Sequence, residues 1–314
     1  MGLLTYIIKK LLIGIPVIFG VTIILFYIMY ILPGDPIQLL LSGERVTPER
    51  IEELRRAWGL DQPVYVQYFY WLSHIIRGDL GTSIVTRQPV SLLMLQRLPY
   101  TLALMLTSIL LSYVIGVLTG IITALKRGSL IDSILSTSSI ICYSIPGFWF
   151  GLVLMLVFAY YLRLFPVSGY EGWNSLILPA LSLALPSSAY IMRLIRAEMI
   201  EVLSEDYIRT AWAKGLSKRR VLLVHALRNA IIPVVTMFFL DLPWLMGGAV
   251  IIETLFALPG MGRLLYVSIL KQDYPVVQGI VLIITVLTIV CNTLGDVVIA
   301  ILDPRIRFER GRGI

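Results

Sequence analysis

The 314-residue chain is 58% hydrophobic and only 14% charged, with a mean hydropathy of +0.86 and a formal net charge of +7. Water-soluble globular chains carry about a quarter of their residues as Asp, Glu, Lys and Arg, so this composition excludes an ordinary soluble domain and names lipid as the solvent. Cys142 and Cys291 both lie inside apolar runs. That placement argues against a disulfide framework or a zinc cluster, and each reads as a small core residue.

The first predicted element follows Lys9 and Lys10 and is a charge-free run from Leu11 to Leu32. A secretory signal has a shorter apolar stretch that ends at a small-x-small cleavage site. Neither feature is present, so the run is read as a retained span, reaching about 33 Å at 1.5 Å per residue. Residues 33–99 are mixed in charge and are expected to form a cap outside the membrane. Within them Pro48 to Trp58 looks amphipathic, with Thr47 or Pro48 as a helix start and Glu49, Glu52 and Glu53 in the opening turns.

Five further apolar runs satisfy the same length criterion: Tyr100 to Leu125, Ser133 to Leu162, Leu176 to Met199, Asn229 to Ile252 and Val276 to Leu302. The predicted architecture is therefore an all-α integral membrane protein with six transmembrane helices. Residues 1–32 form the tail and first helix, 33–99 the cap, and 100–314 the core with a loop at 199–228. Pro146-Gly147 predicts a kink inside the third run, tolerated where protein or water re-satisfies the freed backbone groups. Pro186-Ser187-Ser188 is a second candidate break, although small polar residues also serve ordinary helix packing. Tyr27, Tyr30, Tyr160 and Tyr161 fit interfacial belts.

Charge sets orientation. Lys and Arg are in clear excess over acids in the two tails, at Lys126-Arg127 and between Arg193 and Arg228, whereas the two signs balance in the intervening segments. The positive-inside rule places both termini and the 199–228 loop in the cytoplasm. It also accounts for the pI of about 9.4 without nucleic acid as a partner. Asp241 stands mid-run before Pro243-Trp244, where a charged group costs roughly 2.5–3.5 kcal/mol on insertion scales. It is expected either to face a solute path, where it would attract a cationic group, or to be a hydrogen-bonded structural residue. Asp296, near a cytoplasmic end, reads as structural.

The cytoplasmic loop runs Glu201-Val-Leu-Ser-Glu205-Asp206-Tyr207-Ile208-Arg209-Thr210-Ala211-Trp212-Ala213-Lys214-Gly215-Leu216 and on to Pro233. A short helix closed by glycine, a basic turn and a second helix fit this pattern. Such a helix suits docking into the groove of a partner; a solvated loop is the plainer alternative.

The loop resembles the coupling loop of ABC-importer permeases, whose pattern is Glu-Ala-Ala with a following Gly. Arg209-Thr210-Ala211 and Gly215 stand in those places with only the last Ala kept. The stretch from Glu205 to Leu216 is similar to the dipeptide/oligopeptide/nickel branch of that family. Other motifs of the branch occur in order: Leu32 to Pro36, Gly78 to Ser83, Pro166 to Gly169, His225 to Ala230, Asp273 to Gly279, and Asp303 to Arg307, where the family usually begins with Asn. At Asp241 the branch more often has an uncharged amide, and at Pro243 a glycine.

The resemblance implies one half of a permease heterodimer, with two ATPase subunits and an extracellular solute-binding protein as partners. The cargo it implies is di- or oligopeptides, with oligosaccharides or nickel as alternatives. Glu205, Asp206, Tyr207, Arg209, Thr210, Ala211, Lys214, Gly215 and Leu216 would couple to the ATPase. Pro146, Phe148, Asp241 and Trp244 are candidates for the translocation path, and Asp273 and Tyr274 for binding-protein docking. The chain holds no Gly-x4-Gly-Lys-Ser/Thr phosphate loop, so ATP and Mg²⁺ are expected in the partners and no cofactor here. Its two histidines, His74 and His225, fall in different regions and suggest neither an enzyme nor a metal site. An ATP-independent secondary transporter would be expected to show internal repeats; none pairs the two halves.

Overall fold

A computed structural model of the protein describes residues 3–31 and 61–302, together with Glu49, Glu52, Glu53 and Arg56, which are helical. The Leu32–Pro36 and Asp303–Arg307 motifs and most of the Pro48–Trp58 stretch lie outside the described residues. Among the described residues all regular structure is helical, apart from one antiparallel bridge between Thr82 and Pro89.

Helix α1 (Leu3–Ile31) begins before the charge-free run and takes in Lys9 and Lys10. It packs antiparallel to the last helix, α12 (Tyr274–Leu302), with Gly14 against Ile289 and Lys10 paired to Asp296 at 2.6 Å. Asp296 thus ties two helices together. Helix α2 (Val64–Ile76) meets α1 through Tyr68, whose hydroxyl bonds Thr22 at 2.9 Å and whose ring touches Phe19, Phe26 and Trp71. A buried tyrosine needs such a partner for its hydroxyl.

Helices α3 (Val90–Leu125) and α6 (Asn174–Ser204) make the most extensive pairing in the bundle. Ser108, Ser112, Gly116 and Gly120 recur every four residues along α3 and are buried, so they share one face. A Cβ on Gly116 would fall 2.7 Å from the Ile191 Cβ, and one on Gly120 would overlap Ile195. Small residues let two backbones close where lipid supplies no hydrophobic drive of its own.

Helix α4 (Leu130–Ser144) is capped by Ser129, whose hydroxyl accepts from the Asp132 amide. Helix α5 (Gly147–Leu154) continues as a π-helical stretch over Met155–Tyr161. The expected kink at Pro146-Gly147 is a full break, with 104° between the two arms. Proline drives its predecessor out of the helical region: Ile145 is extended at φ −91°, ψ 129°, and the Pro146 carbonyl opens the next helix by accepting from Trp149 N–H at 2.9 Å. The second expected break is absent, because α6 runs straight through Pro179 and Pro186. Pro186 has no N–H to offer the Ser182 carbonyl, and Gly147 packs beside that oxygen instead.

Helix α7 (Asp206–Ala213) follows α6 directly. Helix α8 (Lys218–Arg220), a π-helical stretch over Val221–Ala226 and α9 (Leu227–Ala230) lead into α10 (Ile232–Leu255). Helix α11 (Met261–Leu270) then precedes α12. Four helices are long and apolar enough to cross a membrane alone: α1, α3, α6 and α12. Two bent pairs, Leu130–Ser144 with Gly147–Tyr161 and Lys218–Ala230 with Ile232–Pro243, raise the number to six if each is one span. The antiparallel packing of α1 on α12, and the parallel packing of α3 with α6 and α12, gather the start of α1, the α3–α4 turn, α7 and the end of α12 at one end of the bundle. The start of α3 lies at the far end, where Val90 touches Gly279 of α12.

Candidate functional site

At the first of these ends α7 is amphipathic. Ile208 and Ala211 are buried in a cluster with Ile195, Met199, Val221, Ala226 and Ala230, while Tyr207, Arg209, Thr210, Trp212 and Lys214 stand exposed. Helix α7 therefore rests on the stem of α6 and on the π-helical stretch Val221–Ala226, and turns its aromatic and charged residues outward. Asn229 Nδ2 donates to the Tyr207 hydroxyl at 2.7 Å, and Arg209 pairs with Asp206 at 3.2 Å. The latter is an exposed one-turn pair that adds little to stability.

The end of α7 is a six-residue cap. The Gly215 amide donates to Trp212 O at 2.9 Å and the Leu216 amide to Ala211 O at 3.4 Å, with Gly215 at φ +73°. This is the Schellman pattern, in which a left-handed residue satisfies the last orphan carbonyls of a helix. Nothing in the chain lies within 4 Å of where a Gly215 Cβ would sit. Glycine is needed there for its conformation, and the space beside it is open. Of the nine residues expected to couple to a partner, Ala211 is turned inward and Leu216 is half-buried. These two hold the helix; Glu205, Asp206, Tyr207, Arg209, Thr210, Lys214 and Gly215 share its exposed side.

Mid-bundle, a cavity of about 790 Å³ opens where α4 and α5 part, lined by Tyr143, Pro146, Phe148, Tyr190, Met237 and Asp241 among others. Three of the four expected path residues, Pro146, Phe148 and Asp241, meet here. The Trp244 side chain lies outside the described residues. Asp241 Oδ2 accepts from the Tyr113 hydroxyl at 2.7 Å, and the Tyr113 ring meets Phe238 edge-on with centroids 5.3 Å apart. Tyr143 and Tyr190 stack at 6.5 Å, with the Arg193 guanidinium 4.5 Å above the Tyr143 ring.

The far end is held by two buried carboxylates. Asp273, 4% exposed, accepts from Ser83 Oγ at 2.5 Å and from Ile84 N–H at 3.0 Å. The Gly78–Ser83 and Asp273–Gly279 motifs thus close on each other, with Gly78 and Gly81 at φ +82° and +79° making the turns between. Asp273 and Tyr274 were expected at a docking surface, but both side chains are buried. The physical reason is this latch, which draws the α11–α12 turn inward onto residues 83–84.

Glu253 is the second carboxylate and is fully buried. It accepts from Thr101 Oγ1 at 2.6 Å and from the Arg263 amide at 3.1 Å, while Thr101 accepts from the Met261 amide at 2.8 Å. A side chain on Gly260 would overlap the Glu253 carboxyl group. Ending the fifth run at Ile252 leaves Glu253 among the outer loop charges. The signal passed over is Leu258-Pro-Gly260-Met-Gly262 just downstream, glycine-rich enough for a backbone to wrap a carboxylate.

Residues 116–308 match the family described as binding-protein-dependent transport system inner membrane component, and residues 3–105 match the N-terminal part of such components. The chain belongs to this family. It is 43% identical to the oligopeptide transport system permease protein AppB of Bacillus subtilis, over 96% of this chain and 99% of that one. It is 40% identical to the di/tripeptide transport system permease protein DppB of Pseudomonas aeruginosa, over 98% and 100%. The glutathione transport system permease protein GsiC of Escherichia coli is 41% identical over the same shares. By shape the chain matches an inward-facing structure of the MetNI methionine ABC transporter with a TM-score of 0.58, over 68% of this chain and 97% of that one, at 17% identity. The shared feature there is the fold. Membership makes the chain a multi-pass inner-membrane component that works with a binding protein and an ATPase, and not itself a catalyst.

Proposed function

We propose that the chain is one of two permease subunits of an ATP-driven importer that moves peptides delivered by an extracellular binding protein. The names of the relatives support the peptide cargo. Each bent pair is taken as one span, giving six, and the excess of Lys and Arg supports placing both termini and α7 in the cytoplasm. Residues 33–99 then form the outer cap. Helix α7 is the coupling helix, pushed by two ATPase subunits, and its motion rocks the bundle between inward-open and outward-open forms. The cavity beside Pro146, Phe148 and Asp241 is this subunit's share of the solute path, completed by the second permease. The binding protein docks at the far end, where Asp273 and Tyr274 act by fixing the turn they occupy.

The observation that carries this reading is α7 itself, a short helix braced from behind by Ile208 and Ala211 with Tyr207 and Trp212 facing out. The test is reconstitution with the companion subunits in vesicles. Uptake of labelled di- and tripeptides must require both ATP and loaded binding protein. Transport through this chain without nucleotide would contradict it.

A further inference from the structure

Among the described residues the cavity walls are apolar, aromatic or hydroxyl-bearing except at one point, where Asp241 is the single charged side chain in the lining. Its carboxylate is half satisfied. Tyr113 donates to Oδ2, and among the described residues nothing donates to Oδ1 and no Lys or Arg pairs with the group. A carboxylate at this depth is costly unless its remaining acceptor capacity is met, and here the space in front of it is the cavity. Tyr113 is itself fixed by Phe238 and by a core of Met105, Ile109 and Met246, so the carboxylate is held in one orientation before anything binds. A preorganised acceptor in a mostly apolar pocket of a few hundred cubic ångströms is the usual form of a small-ligand site.

We propose that Asp241 is the specificity residue of this cavity, and that its Oδ1 receives the ammonium group of a peptide's free amino terminus. The hydrogen bond would be charge-assisted, the stronger kind, and Tyr113 acts as the positioning residue behind it. This inference rests on the peptide-permease reading above.

The experiment is equilibrium binding of labelled trialanine and N-acetyl-trialanine to the purified permease–ATPase complex in nanodiscs, with the binding protein left out. The wild-type complex is expected to prefer the free amine by about tenfold, a difference of one decade in Kd. Asp241→Asn, which keeps an acceptor for Tyr113 but removes the charge, should abolish that preference. Asp241→Glu should keep it, and Tyr113→Phe should weaken it. Equal affinities in the wild type, a preference that survives Asp241→Asn, or no binding of either peptide would each overturn the proposal. ATP-driven trialanine uptake by the wild-type system, measured alongside, separates the two readings. If that uptake is absent the peptide-permease reading fails; if it is present and the preference is missing, only Asp241's role fails.

Discussion

Arg196 on α6 holds Asp132 on α4 through two parallel hydrogen bonds, Nε to Oδ1 and Nη2 to Oδ2, each 3.0 Å long. Asp132 is further fixed by the Gly128 amide at 3.0 Å and by Ser136 at 3.1 Å. One end of this link is the stem that runs directly into α7. The other is the helix whose far end is the break at Ile145-Pro146 beside the cavity. Bidentate Arg–carboxylate pairs fix geometry as well as charge, so the pair gives α7 a stiff connection to the cavity wall.

Breaking that connection should separate hydrolysis from transport. Arg196→Ala or Asp132→Asn is expected to lower peptide uptake per ATP hydrolysed several-fold, with the complex still assembled. Simultaneous measurement of uptake and phosphate release in vesicles checks this. An unchanged ratio in both variants would show that the pair only braces the fold.

Gly215 is held at φ +73°, where a residue with a side chain pays about 1–2 kcal/mol. Asn tolerates the left-handed region better than other residues, so Gly215→Asn should retain most coupling. Gly215→Trp adds bulk on the open side of the cap and should reduce recovery of the ATPase subunits in a pull-down while the chain still reaches the membrane. Full recovery with the Trp variant would mean that no partner approaches this face.

Glu253→Ala strands the Thr101 hydroxyl and the Arg263 amide in a buried site, each at a cost of about 1–3 kcal/mol. A lowered midpoint of thermal unfolding in detergent is expected, with Glu253→Gln milder because an amide oxygen still accepts. Identical melting of wild type and Glu253→Ala would refute the clamp.

At the far end Asp273→Ala removes both bonds that tie residues 83–84 to the α11–α12 turn. Arg87 is exposed in the same turn, so tryptic cleavage after Arg87 should accelerate in inside-out-free, outward-facing vesicles. An unchanged rate would leave the latch without mechanical importance.

Much of this architecture was legible beforehand because two simple signals are local. Apolar run length marked α1, α3, α6 and α12, the four helices long enough to cross a membrane alone, and Gly215 marked the end of α7 because glycine readily takes the left-handed cap after an amphipathic turn. Tertiary contacts decided the rest. Pro146 and Pro186 look alike in sequence and line the same cavity, yet one breaks its helix and the other does not: α6 is clasped along its length by α3. The Arg196–Asp132 pair spans 64 positions, and no periodicity connects them. Glu253 falls one residue beyond an apolar run, where a loop charge and a buried carboxylate read the same. The Gly78–Ser83 and Asp273–Gly279 motifs were visible separately, but their meeting was not.

The central proposal is that a separate motor drives the chain through α7. Peptide taken up per ATP hydrolysed, compared between wild-type vesicles and vesicles carrying Tyr207→Ala with Trp212→Ala, decides it. Both side chains are exposed, so the double variant should insert and fold normally while the ratio falls at least about tenfold, the loss expected when two aromatic anchors of roughly 1–2 kcal/mol each leave an interface. A ratio equal to wild type, or uptake that continues without nucleotide, would contradict the lever.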